Sequence, residues 1–238
     1  MTEAAPANTG ESLSLFSRAI GIVTAPKATF ERIVLVPRPF GILFLCAVIM
    51  GAAVALPQFT EKGQRIIVDQ QLKAMESRGG ATPEAQARLE QFSRYFPYIS
   101  MVSFLIFLPI VSLFLTALYW GVFNVALGGT ASFKQVLSVV AHSQVIPVLG
   151  ALVGIPFMLS NPSTSMGGPF NLGAVVPTLE AGSRLAKFLE NVSVFSLWGV
   201  FVNAIGFAVL YRRKTTGIFV ALLVVYIAFT YLGSMFRG

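Results

Sequence analysis

Residues that could do chemistry are scarce in this chain and do not cluster. His142 is its one histidine, Asp69 its one aspartate and Cys46 its one cysteine. A zinc site with two histidines on one helical turn cannot be assembled from one. An intramembrane aspartate pair is excluded in the same way, and Asp69 lies outside every apolar run. No G-x-S-x-G elbow occurs to present a serine nucleophile. Neither a Walker loop nor G-x-G-x-x-G is there to cradle phosphates. Serines are plentiful, but none stands at a spacing from His142 that suggests a nucleophile and its base. Cys46 has no intrachain disulfide partner. The reading is a chain with no catalytic residue, no cofactor and no metal site, and so not an enzyme.

Four polar side chains lie within otherwise apolar sequence: Asn124, His142, Gln144 and Asn203, with Glu190 at the edge of another such run. Polar groups in hydrocarbon are costly, so they must face other helices or a cavity. Two readings follow. One is a polar path around His142 for a small solute or a lipid. The other is hydrogen bonding between helices, worth about 0.6 kcal/mol per bond on average.

The elements that must position these residues are set by where charge is missing. No Asp, Glu, Lys or Arg occurs in 39–60, 95–133, 135–179, 191–211 or 215–236, runs of 22, 39, 45, 21 and 22 residues. About 20 apolar residues in a helix cross roughly 30 Å of hydrocarbon. Charged residues make up 11% of the chain, against about 25% in ordinary soluble domains. The expectation is an all-α membrane protein, a five-transmembrane-helix bundle with spans at about 39–57, 96–123, 134–158, 192–211 and 216–235. The polar segment 1–12 is expected to be disordered, and 13–238 to form a single polytopic domain. The first span serves as an uncleaved signal anchor. The net charge of +7 sits at the edges of apolar runs, which suits anionic lipid headgroups and gives no nucleic-acid surface.

Leu13, Phe16, Ile20 and Val23 recur at helical spacing, with Ser17 and Arg18 between them. After Pro26, Phe30, Ile33 and Val34 make a second apolar face. This predicts two short N-terminal helices, lying in the membrane interface or packed on the bundle. Segment 58–94 holds eleven charges and is divided by Gly79-Gly80, after which Thr82-Pro83-Glu84 restarts a helix. A helical hairpin between spans one and two is expected, covering the bundle mouth. Pro109 should kink span two, and Gly128-Gly129-Thr130-Ala131-Ser132 is a turn. Span three contains Pro147 and Pro156. Gly150 with Gly154, and Ala47 with Gly51 and Ala55, give small-residue faces for close packing. With the N-terminus inside, inner segments carry eight Lys and Arg and outer ones nine. The tight Arg212-Arg213-Lys214 triplet favours an inner N-terminus and an outer C-terminus.

The run Ile22-Val23-Thr24-Ala25-Pro26-Lys27-Ala28-Thr29-Phe30-Glu31-Arg32-Ile33 resembles the entry motif of the YIP-type (Ypt-interacting protein) membrane domain family, a Pro, an aromatic and a short amphipathic stretch before the first span. Gly128-Gly129-Thr130-Ala131-Ser132-Phe133-Lys134-Gln135, followed by Ala141 and Pro147, is similar to that family's opening of span three. His142 stands where an aromatic or small residue is expected. The resemblance covers about 16–232 and implies a five-span bundle with a cytoplasmic N-terminus. Eukaryotic members are associated with small Rab-type GTPases, early secretory traffic and one another. This chain lacks their long hydrophilic N-terminal region and resembles the short prokaryotic members, so GTPase binding is not carried over. The expected function is membrane organisation or the binding of partner membrane proteins, including self-association, in a bacterial inner (plasma) membrane. The alternative is a small-solute or lipid transporter with a polar cavity near His142.

Overall fold

The computed structural model describes residues 13–76, 79–80, 82–160, 168–176 and 183–235; segment 1–12, expected to be disordered, lies outside them. Among the described residues the chain is helical, with one isolated bridge between Asn171 and Ser193 and no strand. Five helical stretches are long and apolar enough to cross a bilayer: Pro39–Phe59, Pro83–Ala126, Phe133–Ser160, Val194–Tyr211 and Thr215–Ser234.

The third stretch is the centre of the bundle. It begins at a capping box. Ser132 Oγ accepts from the Gln135 backbone N–H at 3.3 Å, and Gln135 Oε1 accepts from the Ser132 N–H at 2.9 Å. Helix α7 (Phe133–Ser143) follows, then a turn at Gln144, then α8 (Val145–Ser160). We number the earlier helices α1 (Leu15–Thr24), α2 (Pro26–Leu35), α3 (Pro39–Ala55), α4 (Glu61–Glu76), α5 (Pro83–Phe92) and α6 (Phe96–Trp120). The later ones are α9 (Arg184–Asn191), α10 (Val194–Tyr211) and α11 (Thr215–Met235). The turn at Gln144 has a local cause. Pro147 has no N–H to offer the Ser143 carbonyl, and its ring crowds that carbonyl. The Gln144 N–H therefore turns back to Ala141 O at 3.3 Å. Helix α6 continues through Pro109, at the cost of one bond to the Leu105 carbonyl. A π-turn follows over Gly121–Ala126.

Two clusters of buried side chains meet on α7 and α8. One joins Val136, Val139 and Ile146 to Ile22, Phe30, Ile33, Val202 and Phe207. The other joins Ala141, Val148 and Ala151 to Ile42, Leu43, Cys46 and Met50 of α3. The span made by α7 and α8 is 67% buried, against 11% for those of α6 and α11. The last two helices are thus the outer walls, and Phe107, Phe114 and Phe229 on them are exposed. Close approach comes from small residues. A Cβ added to Gly51 would meet the Met101 backbone of α6 at 3.1 Å.

The N-terminal helices pack on the bundle. Phe30 and Ile33 of α2 are buried in the first cluster as expected. The predicted apolar stripe on α1 is split, with Val23 packed against the first cluster. Arg18 and Ile22 face inward, while Phe16 and Ile20 face outward, 70% and 63% exposed. Buried Arg18 donates from Nη1 to Arg38 O at 3.2 Å and from Nε to Ser14 O at 3.5 Å. Its burial, and the neighbouring Arg38 cation, hold its pKa below the ordinary arginine value. The hairpin is built as expected: α4 and α5 pack together, Gly79 takes φ +73°, and Thr82 Oγ1 caps α5 by accepting from the Ala85 N–H at 3.2 Å. Lys62 ties α4 to the end of α8 by donating to Ser160 O at 3.3 Å.

Gly206 on α10 is the notch that admits α2. A Cβ there would press on Val139 and come within 3.0 Å of the Phe30 ring. Gly206→Ala should therefore cost about 1–3 kcal/mol of stability by overpacking. Adding Val139→Ala should recover part of that loss, as read by denaturant unfolding in detergent. A neutral Gly206→Ala would contradict the packing.

Candidate functional site

The four polar candidates divide among three places. Asn124, in the π-turn, links two connections at one end of the bundle. Its Nδ2 donates to Ala131 O at 2.5 Å, and its Oδ1 accepts from Tyr211 Oη at 3.0 Å. Tyr211 stacks on Phe123 at 4.7 Å, and Trp120 Nε1 adds a second donor to Ala131 O at 3.1 Å. Gly129 must lack a side chain here, because a Cβ would come within 2.6 Å of Tyr211 and 2.9 Å of Asn124 Oδ1. This group is a latch between the α6–α7 and α10–α11 connections.

His142 is fully buried on the inner face of α7. Its Nδ1 lies 2.7 Å from the Ser138 carbonyl oxygen. A carbonyl only accepts, so Nδ1 carries the proton. Nε2 has no hydrogen-bond partner among the described residues, and neither does the adjacent buried Ser138 Oγ.

Gln144 and Asn203 are brought together. Both line a groove of about 350 Å³ bounded by α6, the α7–α8 turn, α10 and α11. Ser143, Ser196 and Tyr226 join them, while Phe114, Leu118, Val225 and Phe229 form its apolar walls. Helices α6 and α11 flank the groove without packing closely on each other, so it opens sideways between them. The Asn203 Oδ1 is buried with no donor, and the Gln144 side chain makes no hydrogen bond among the described residues. Positions 142 and 144 are about 200° apart around a helix, which puts them on opposite faces. His142 turns into the core, and Ser143 and Gln144 present their side chains to the groove.

Three further residues of the floor went unmarked in the sequence. Ser143 and Ser196 are small hydroxyls whose α-helical back-bonding or capping gives no separate signal; Ser143 Oγ donates to Val139 O at 2.9 Å. Tyr226 reaches across from α11 and donates to Asn191 O at 3.2 Å, a contact no local pattern announces. Among the described residues, no three of His, Cys, Asp and Glu come together in a way that could hold a metal ion.

Replacing His142 by Leu removes a ring with one local bond and one orphaned nitrogen, so stability should stay within about 1 kcal/mol of the parent. A loss beyond about 2 kcal/mol in detergent unfolding would mean that Nε2 is engaged by another group. Tyr211→Phe, which severs the latch to Asn124, should cost about 0.6 kcal/mol in the same assay. No measurable change there would contradict the latch.

Comparison with known proteins agrees with this architecture. A family model described as Yip1 domain matches residues 20–235. The chain is 28% identical over 210 residues to "Membrane protein YknW" of Bacillus subtilis (strain 168), an alignment covering 87% of this chain and 80% of that protein. No solved structure matches. With nearly the whole bundle inside the matched region, from the middle of α1 to the end of α11, the chain belongs to the Yip1 domain family.

Proposed function

We propose that this protein organises membrane partners without catalysing a reaction, by binding a partner transmembrane helix in its lateral groove. The observation behind this reading is the pair of unmatched amides, Gln144 and Asn203, on the floor of a groove of about 350 Å³. An acyl chain fills an apolar groove but offers no hydrogen bond. A helix bearing Ser, Thr or Asn does both, and hydrogen bonds of that kind join helices in bilayers. A second copy of the chain is one source of such a helix.

Other features fit the same reading. The outward Phe16 and Ile20 of α1 suit a helix lying at the lipid interface, where it would sense or shape the leaflet. The Arg212-Arg213-Lys214 turn favours the N-terminus and the α10–α11 connection on the cytoplasmic side of a bacterial inner membrane. One observation favours transport of a small solute or lipid instead: the turn between α7 and α8 at Gln144 borders the cavity, and interrupted helices border substrate sites in transporters.

A photo-crosslinking residue at Leu118 or Phe229, on the groove walls, should capture a membrane protein in native membranes. One at Phe107, on the outer face of α6, should not. Gln144→Leu with Asn203→Leu should abolish that adduct. Equal capture at Phe107, or an adduct insensitive to the double substitution, would overturn the partner reading. Solute or lipid flux from reconstituted vesicles that is lost in the same double variant, with no adduct, would establish transport in its place.

A further inference from the structure

A second cavity lies away from the groove, where the α6–α7 connection meets the α10–α11 connection. It has a volume of about 460 Å³ and is lined by Gly128, Thr130, Gln135, Tyr211, Arg212 and Arg213, among others. Leu127 and Leu210 also border it, so it sits where apolar helix gives way to polar turn.

The charge around it is unbalanced. Arg18, Arg32 and Arg38 share one small pocket at this end. Gln135 Nε2 donates to Val34 O at 3.0 Å, which joins the end of α2 to the start of α7. Arg213 Nη2 donates to Leu127 O at 3.2 Å, which joins the two connections. Seven Lys and Arg are thereby collected: Arg18, Arg32, Arg38, Lys134, Arg212, Arg213 and Lys214. Glu31 is the single acid in the described elements that form this end. The one ion pair among the described residues, Arg65 with Glu61, lies at the opposite end. These cations therefore have no carboxylate partner within the described chain.

The pocket's own donors are also free. The Thr130 and Ala131 N–H groups have no acceptor among the described residues. Arg213 uses one N–H on Leu127 O and keeps others for a ligand. Arg212 is the one non-glycine residue with positive φ among those described, at φ 52°. It ends α10, where glycine would take that conformation without strain. From that conformation Arg212 lines the cavity.

We propose that this pocket binds the phosphodiester headgroup of an anionic phospholipid. Arg212 and Arg213 would neutralise the phosphate through paired N–H donors, while the Thr130–Ala131 amides complete its hydrogen bonds. Position selects a lipid over free phosphate. The cavity is bordered by the last residues of α10, so an acyl chain can run down the apolar helix while the phosphate stays at the turn. This inference is independent of the lateral groove.

Native mass spectrometry of the purified protein, titrated with phosphatidylglycerol or phosphatidylcholine, tests it. The parent should hold phosphatidylglycerol in preference to phosphatidylcholine. Arg212→Asn with Arg213→Gln should weaken phosphatidylglycerol about thirtyfold, from about fivefold per cation removed near the surface. Asn tolerates the left-handed backbone and Gln can still donate to Leu127 O. Lys73→Gln with Arg88→Gln removes the same charge at the far end and should change affinity less than about twofold. If the first pair of changes prevents folding, Arg212→Asn alone should still cost about fivefold. Unchanged affinity in the Arg212 and Arg213 variants, or equal weakening by the far-end pair, would overturn the site. Displacement of the lipid by millimolar inorganic phosphate would overturn the lipid assignment in favour of a soluble anion.

Discussion

Hydrocarbon is the solvent for most of these side chains, and that constraint shapes everything else. Between helices in lipid there is little hydrophobic gain, so association depends on close packing and on hydrogen bonds. The bundle uses both. Gly51 lets α3 approach the backbone of α6, Gly206 admits Phe30, and Gly150 accepts the Phe195 ring. Gln58 Nε2 donates to Ser100 Oγ at 2.9 Å, tying the end of the first span to α6. Among the described residues, Asn203 Oδ1 in the groove and His142 Nε2, Ser138 Oγ and Ser112 Oγ elsewhere are the buried polar atoms without a partner.

Span three organises the rest because it is the one span wrapped on most sides. Its capping box fixes where it starts and fastens it to α2 through Gln135. The turn at Gln144 divides it into α7 and α8. Upstream of the turn, Val136, Val139 and His142 enter the core. At the turn, Ser143 and Gln144 meet α10 and α11. Pro147 itself lines the groove beside them.

Much of this was legible before the structure. The charge-free runs located five apolar helices, because nothing in hydrocarbon replaces water around an ion. The Gly128–Ser132 turn, the Thr82 cap and the Phe30 face were readable because local chemistry determines them. The orientation of α1 was not. Its apolar residues Phe16 and Ile20 suited either the lipid interface or the bundle, and no local pattern announced that Arg18 would turn inward onto two backbone carbonyls. Nor was the division of the polar residues legible. His142 and Gln144 are two positions apart, which puts them on opposite faces of the helix, and no local signal says which face is core and which is groove.

The central claim is that lipid separates the hairpin end of this bundle from the basic end where its connections meet. Cysteine accessibility in sealed vesicles, with Cys46→Ala as the background, measures this directly. Thr130→Cys and Thr215→Cys should label from one and the same side, and Gly80→Cys from the other. Labelling of all three from one side would contradict the account.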